Sequence, residues 1–373
     1  MQQQRIHFLD FSRSIAILMM LQGHFISMTY VGYEFHMDEV RQVGASSSYI
    51  FNVWGFFRGL TAPLFFTISG SVFSYLLHRE WNKGEAAYWK LVRVKKGIKR
   101  ALSLILIGYL LQINLSYLPY YLSGHLNSRL FGFHILQCIG LSLLCLLLLS
   151  SLLKKIRKWG WVLYLCIGFC IFVTTIWVRQ QSGYLPGFAP SVLQNLIQGP
   201  ETSFSIFPWM GYVFMGAAFG HWLSTRKQPN DLKANARFLL VIACLFYALG
   251  WLISFWIEPT ASAAHFHYCW FFDRVLFVHL LIVFFSYLSQ FERLRHPDFM
   301  RVGQETFFIY NVHAVLLYGA VTGISLRTFL ASKLSGPVAF SGAILFLAFF
   351  IYLVKKREAI RQFFRNLRPN FRS

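Results

Sequence analysis

Arg13 and His24 stand eleven positions apart in the first apolar stretch of the chain, residues 11–30. Eleven steps of ~100° return a helix to nearly the same face, ~16 Å further along its axis. One face of one helix would then carry a guanidinium at its entry and an imidazole well inside. Ionisable groups at such depth are costly in a bilayer and mark a path or a reaction site. A cation at one surface and a proton-transfer group near the middle suit chemistry conducted across a membrane. His24 is therefore the first candidate catalytic residue, with His313 and His134 as companions at similar depth. The bland reading, an imidazole that only ties helices together, is weaker for His24 because of the face it shares with Arg13.

Other polar residues fall in apolar stretches: Gln22, Gln112, Asn114, Gln137, Asp273, Arg274, His279 and Asn311. Such groups normally face a bundle interior or a wet cavity, so they suggest a polar chamber that opens outward. Gln137, Asn114, Asp273 and Arg274 are the candidate substrate-binding residues. Each has a structural alternative. Gln22 and Asn311 read equally well as ties between helices, worth ~0.6 kcal/mol apiece. Asp273 and Arg274 could be an ion pair at the outer boundary, and His279 a helix–helix hydrogen bond. His7, His78, His221, His265, His267 and His296 read as solvated loop or boundary residues. His36, in the first outer loop beside Asp38 and Glu39, is the one to watch.

Cations gather elsewhere. Arg93, Lys95, Lys96, Lys99 and Arg100 lead into the third stretch and, with Arg5 and Arg13, could hold phosphates. Arg13, Arg5, Lys96 and Arg100 are the candidate donor-binding set, and a lipid-anchoring stripe is the alternative for any one of them. The chain has no Gly-rich phosphate loop and no Ser-centred nucleophile elbow. Its six cysteines show no pairing or ligand pattern, so neither a disulfide framework nor a metal site is expected.

The elements that must position these groups are membrane helices. Hydrophobic residues make up 56% of the 373 and charged residues 13%, about half the charged fraction of a soluble domain. Mean hydropathy is +0.50. Ten stretches approach bilayer length: 11–30, 57–77, 100–118, 131–152, 159–178, 205–224, 237–257, 270–291, 304–322 and 337–354. With the N-terminus inside and strict alternation, 28 of the 35 Lys and Arg residues fall on one side. Arg41, Arg58, Arg129, Arg179, Arg327 and Lys333 fall outside. That asymmetry predicts both termini in the cytoplasm. The expected fold is all-α and polytopic, one integral-membrane domain over residues 1–373, with no cleavable signal peptide. The net charge of +21 then reads as loop anchors against anionic lipid, and no nucleic-acid partner is expected.

Several motifs resemble a known superfamily. The run Arg5-Ile-His-Phe-Leu-Asp10-Phe-Ser-Arg13, with His24 beyond it, is similar to the opening of transmembrane acyltransferases, and type-3 membrane acyltransferases share the Arg-to-His spacing. Ala62-Pro63-Leu-Phe-Phe-Thr-Ile-Ser69-Gly70 is similar to their second span. Phe131-Gly-Phe-His134-Ile-Leu-Gln137-Cys-Ile-Gly140, and Phe207-Pro208-Trp209-Met-Gly211 with Gly216 and Gly220, resemble the heparan-α-glucosaminide N-acetyltransferase-like branch. The resemblance covers residues 5–320. It implies acetyl transfer from cytosolic acetyl-CoA to an amine or hydroxyl on the far side, mostly of a sugar or glycan. It makes His24 the base or acyl relay and Arg13 a CoA-side partner. Three departures stand out, one being that the residues after His24 lack the acidic group often found there. Ser14 follows the arginine where the family usually has Gly. In the lysosomal members the key histidine is placed by the first luminal loop, which makes His36 a rival.

A chemical account agrees in outline, since acetyl transfer needs a base and an oxyanion donor. The competing class is a proton-coupled or small-solute transporter, although the chain lacks the inverted repeat many of those show. A sensor or lipid-binding membrane protein is a third class. Acceptor identity and a homodimer both stay open at this level.

Overall fold

The computed structural model describes residues 6–84, 87–123, 128–152, 157–180, 191–199, 201–257 and 265–366. Among them the chain forms fifteen α-helices. These are α1 (His7–Thr29), α2 (Tyr33–Val43), α3 (Tyr49–Trp81), α4 (Val92–Leu110), α5 (Leu118–Leu122), α6 (Ile135–Leu152), α7 (Gly160–Gln180) and α8 (Ser191–Gln198). They continue with α9 (Ile206–Ser224), α10 (Leu232–Ile257), α11 (His265–Leu288), α12 (Pro297–Gln304), α13 (Thr306–Tyr318), α14 (Leu326–Leu330) and α15 (Gly336–Asn366). The described residues form no strand, and Tyr30 makes an isolated bridge to Leu334. Helices α3, α6, α7, α10, α11 and α15 are long and apolar enough to cross a membrane, and α13 is a shorter apolar helix. The protein is all-α and integral to the membrane.

Every one of the ten apolar stretches falls on a helix, but several ends move. The 100–118 stretch is not one helix, because α4 stops at Leu110. Beyond it Asn114 turns its side chain onto the Ser116 N–H at 2.9 Å, and Gln112 Nε2 donates to the Gly132 carbonyl at 2.9 Å. Side chains that bond the backbone locally compete with the helix ladder, and Pro119 opens the next short turn. Asn114 is thus a capping residue rather than a group within a span. His134 likewise precedes α6 rather than lying in it. Helix α2 stands between α1 and α3, and α8 between α7 and α9.

The chain divides into two compact units. The first holds residues 62–287 with the first nine. Its helices meet through small residues. Gly216 and Gly220 of α9 press on the carbonyls of Thr67 and Ser71 in α3, and Gly70 of α3 presses on that of Val213. A methyl group at any of these positions would collide with backbone. In α4 the buried stripe Val94, Gly97, Ala101, Leu104 and Gly108 faces α6, where Gly140 sits against the Ala101 carbonyl. Without a hydrophobic drive between helices in lipid, such close approach is what holds them. Glu80, from the end of α3, accepts from the N–H groups of Val92 and Arg93 at 3.2 and 2.7 Å and so caps α4.

The second unit holds residues 10–61 and 288–373. Its post is α1. Phe11 packs edge-on against Phe299 of α12, Phe25 against Phe346 of α15, and Gln22 accepts from the Trp54 indole at 2.9 Å. Gln22 is therefore the helix tie its composition allowed. Ser14 has a direct part in this packing. Its buried hydroxyl donates to the Phe299 carbonyl at 2.7 Å and accepts from the Gly303 N–H at 2.9 Å, binding α1 to α12. Lys355 and Arg357 of α15 pair with Asp298 and Glu305 around α12.

Candidate functional site

In the second unit the polar groups converge on one end of α1. His24 is half-buried, and its Nδ1 lies 2.8 Å from the Tyr318 hydroxyl. Its ring stacks on that of His313, with centroids 5.5 Å apart. His313 is nearly closed off, at 2% exposure, and packs edge-on against Tyr310. Tyr318 ends α13, where Gly319 takes a left-handed φ of 71° and stops the helix, and it is 38% exposed. The cluster thus has an accessible imidazole, a buried one behind it and a phenol at its mouth. In the tautomer where His24 Nδ1 carries the proton, it donates to the Tyr318 oxygen and leaves Nε2 as an acceptor.

Arg58 completes the cluster. Its aliphatic stem lies against Gly23, and its guanidinium stands 5.5 Å from the ring centroids of both Tyr33 and Trp54. Its charge acts on both His24 and Tyr318. Neither Arg58 nor Tyr318 was singled out from the sequence. Arg58 carried a signal, being one of the few cations on the outer side of the charge count, while Tyr318 carried none.

Arg13, on the same helix, is a fifth exposed and pairs with Asp10, Nη1 to Oδ1 3.6 Å. A carboxylate beside it already meets part of its charge. Arg5 lies outside the described residues. Lys96 and Arg100 project from the exposed face of α4, opposite its buried stripe. His134, Asn114, Gln137, Asp273, Arg274, Lys96 and Arg100 belong to the first unit, whereas His24, His313 and Arg13 belong to the second. Gln137 is fully buried against Gly108, and its amide atoms find no partner among the described residues. Asp273 and Arg274 are half-buried neighbours on α11. His279 bonds within its own helix, Nδ1 to the Val275 carbonyl at 2.7 Å, rather than between helices.

His36 is held differently. Its Nδ1 lies 2.7 Å from Ser46 Oγ and 3.1 Å from Glu39 Oε2, and its Nε2 lies 3.2 Å from the Tyr30 hydroxyl. Ser46 and Ser47 also donate to Glu39 at 2.8, 3.0 and 3.1 Å. These bonds, that from His36 foremost, hold the Glu39 carboxyl down to about 2. A relay needs its hydroxyl and carboxylate on opposite ring nitrogens. Here both crowd Nδ1 and a phenol takes Nε2, so the network fastens α2 to the start of α3 and leaves no free base.

Two histidines read as solvated are buried. His78 is 0% and His221 2% exposed, their ring centroids 4.2 Å apart. His78 Nε2 meets the Tyr164 hydroxyl at 2.9 Å, which meets Ser150 at 2.7 Å. They are a polar core in the first unit. Each stands at the end of an apolar stretch, which made it look like a boundary residue. Among the described residues no group of histidine, cysteine and carboxylate side chains is placed to hold a metal ion.

A search of characterised proteins found no match. A comparison with known families matched residues 5–256 to heparan-alpha-glucosaminide N-acetyltransferase, catalytic. The matched segment contains His24 and Arg58 and ends before His313 and Tyr318. It spans more than half of the chain, and the protein belongs to the heparan-α-glucosaminide N-acetyltransferase catalytic-domain family.

Proposed function

We propose that the protein moves an acetyl group from cytosolic acetyl-CoA to an amine or hydroxyl of an extracytoplasmic acceptor, a sugar or glycan. The observation that carries this reading is the His24–Tyr318–His313 cluster, with one accessible imidazole whose Nδ1 is held by a phenol. His24 Nε2 takes the acceptor's proton as the acceptor oxygen or nitrogen bonds to the thioester carbonyl carbon. The carbon–sulfur bond then breaks, and the proton passes to the departing thiolate. Arg58 is the cation available to the oxyanion that forms in between. His313 positions His24 by stacking, since its own burial keeps it from the acceptor.

On the donor side the residues fit a polyanion only in part. Lys96 and Arg100 are exposed, while Arg13 shares its charge with Asp10. The cytoplasmic placement of these groups, and of both termini, follows from the charge count. The test is purified protein given acetyl-CoA with hydroxyl- or amine-bearing sugars, reading free CoA thiol. An enzyme releases thiol faster when acceptor is added. Solute movement without thiol release would favour transport instead.

A further inference from the structure

A cleft in the first unit has no part in the transfer chemistry. It has a volume of about 490 Å³ and is lined by Trp161, Trp222, Arg226, Lys233, Arg237 and Phe238, with Val241 and Ile242 further along α10. Its wall is graded. Lys233, Arg237 and Val241 follow one another at four-residue steps, so a single face of α10 runs from cation to cation to exposed aliphatic. Beside that face the aromatic rings form a stack. Trp222 lies over Phe238 with centroids 4.5 Å apart, and Trp161 meets Phe238 edge-on at 5.6 Å. Arg226 stands over Trp222 at 5.2 Å.

The charges here are available. Among the described residues none of Arg226, Lys233 and Arg237 forms an ion pair, and all three are exposed. The adjacent carboxylate, Asp231, accepts from the Ala234 N–H at 3.2 Å and starts α10. Val241, 59% exposed, belongs to a helix apolar enough to cross the bilayer, so the far end of the cleft opens on the face that lipid covers. Tryptophans at this level are what a membrane boundary selects.

We propose that this cleft binds one anionic phospholipid of the cytoplasmic leaflet. The headgroup phosphate is held by Arg226, Lys233 and Arg237, the glycerol region lies on Trp222 and Phe238, and the acyl chains run along Val241 and Ile242. A free phosphate would use the cations and leave the apolar wall without purpose. Coenzyme A would place a polar pantetheine arm where the wall is aliphatic. The proposal shares the charge-based orientation of the transfer reading but none of its residues.

The test follows the thermal unfolding midpoint of the purified protein in detergent. It is titrated separately with phosphatidylglycerol, phosphatidylcholine, sodium phosphate and coenzyme A. Phosphatidylglycerol should raise the midpoint at far lower concentration than phosphatidylcholine, and salt should weaken the effect. At about fivefold in affinity per cation near an anionic surface, the Arg226→Gln/Lys233→Gln/Arg237→Gln variant should bind on the order of 10²-fold more weakly. The single variants, each expected to lose about fivefold, keep the test usable if the triple variant does not fold. Equal shifts from both lipids, or an undiminished shift in the variants, would overturn the proposal. So would the same shift from sodium phosphate. A shift from coenzyme A alone, lost in the variants, would reassign the cleft to the acyl donor.

Discussion

At the residue scale the account turns on which imidazole can accept a proton. His24 has an accessible ring with one nitrogen held by Tyr318, whereas His313 is buried and His36 has both nitrogens engaged. Tyr318→Phe should therefore slow transfer roughly tenfold by loosening the His24 tautomer, with CoA binding unchanged, as a kcat measurement beside calorimetry would show. His36→Ala should leave transfer within a few-fold of normal and destabilise the outer loop instead. Glu39 gives that loop a pH signature. Its carboxyl sits below its unfolded value near 4.5, at about 2 in the fold. Its contribution is thus complete above pH 4.5 and is lost as pH falls through about 2. The protection of the Ser47 amide against hydrogen exchange, relative to its intrinsic rate, should fall across that window in the wild type and be low throughout in Glu39→Ala. The pairing of Arg13 with His24 on one face could be seen in the spacing alone. Tyr318 could not, because its approach to His24 is made by two helices that are far apart in the chain.

At the element scale the hydrophobic pattern located the helices and misplaced their ends. Each of the ten apolar stretches overlaps a helix, and six of those helices are long and apolar enough to cross a bilayer, where an apolar run has few other solutions. The ends depend on weaker, local bonds. Asn114 capping Ser116 and Gln112 reaching Gly132 stop α4 early, and no periodicity announces them. Helix α2 leaves no hydrophobic signal in the sequence because it is short and polar, with no buried residue. Packing between helices also leaves tests. Gly216→Val would drive a side chain into the Thr67 carbonyl and should cost ~3 kcal/mol or more, read as loss of folded protein in detergent. Gly55→Ala, on α3 with open space around it, is the control and should be neutral or stabilising by up to ~1 kcal/mol. Ser14→Ala leaves the Gly303 N–H without its acceptor and should destabilise by ~1–3 kcal/mol in denaturant unfolding.

At the scale of the whole molecule, composition and charge asymmetry were the legible features. They gave an all-α membrane protein, and the match over residues 5–256 gives its family. They could not give the division into two compact units, which depends on which helices pack together. The orientation inferred from the cations is checked by labelling single cysteines, one in the first turns of α4 and one beyond its C-terminal end. Lys96→Cys should react from the cytoplasmic face and Ser116→Cys from the opposite one, and reaction of both from one face would break the topology. The central claim, that His24 is the proton acceptor in acetyl transfer from acetyl-CoA at one face to an acceptor at the other, is tested most directly in sealed inside-out vesicles. Radiolabelled acetyl-CoA is supplied outside, a sugar acceptor is enclosed, and labelled acceptor is counted. The wild type should label the enclosed sugar, while His24→Ala should fall by ~10²–10⁴ with CoA binding retained. Near-normal labelling by His24→Ala would contradict the account.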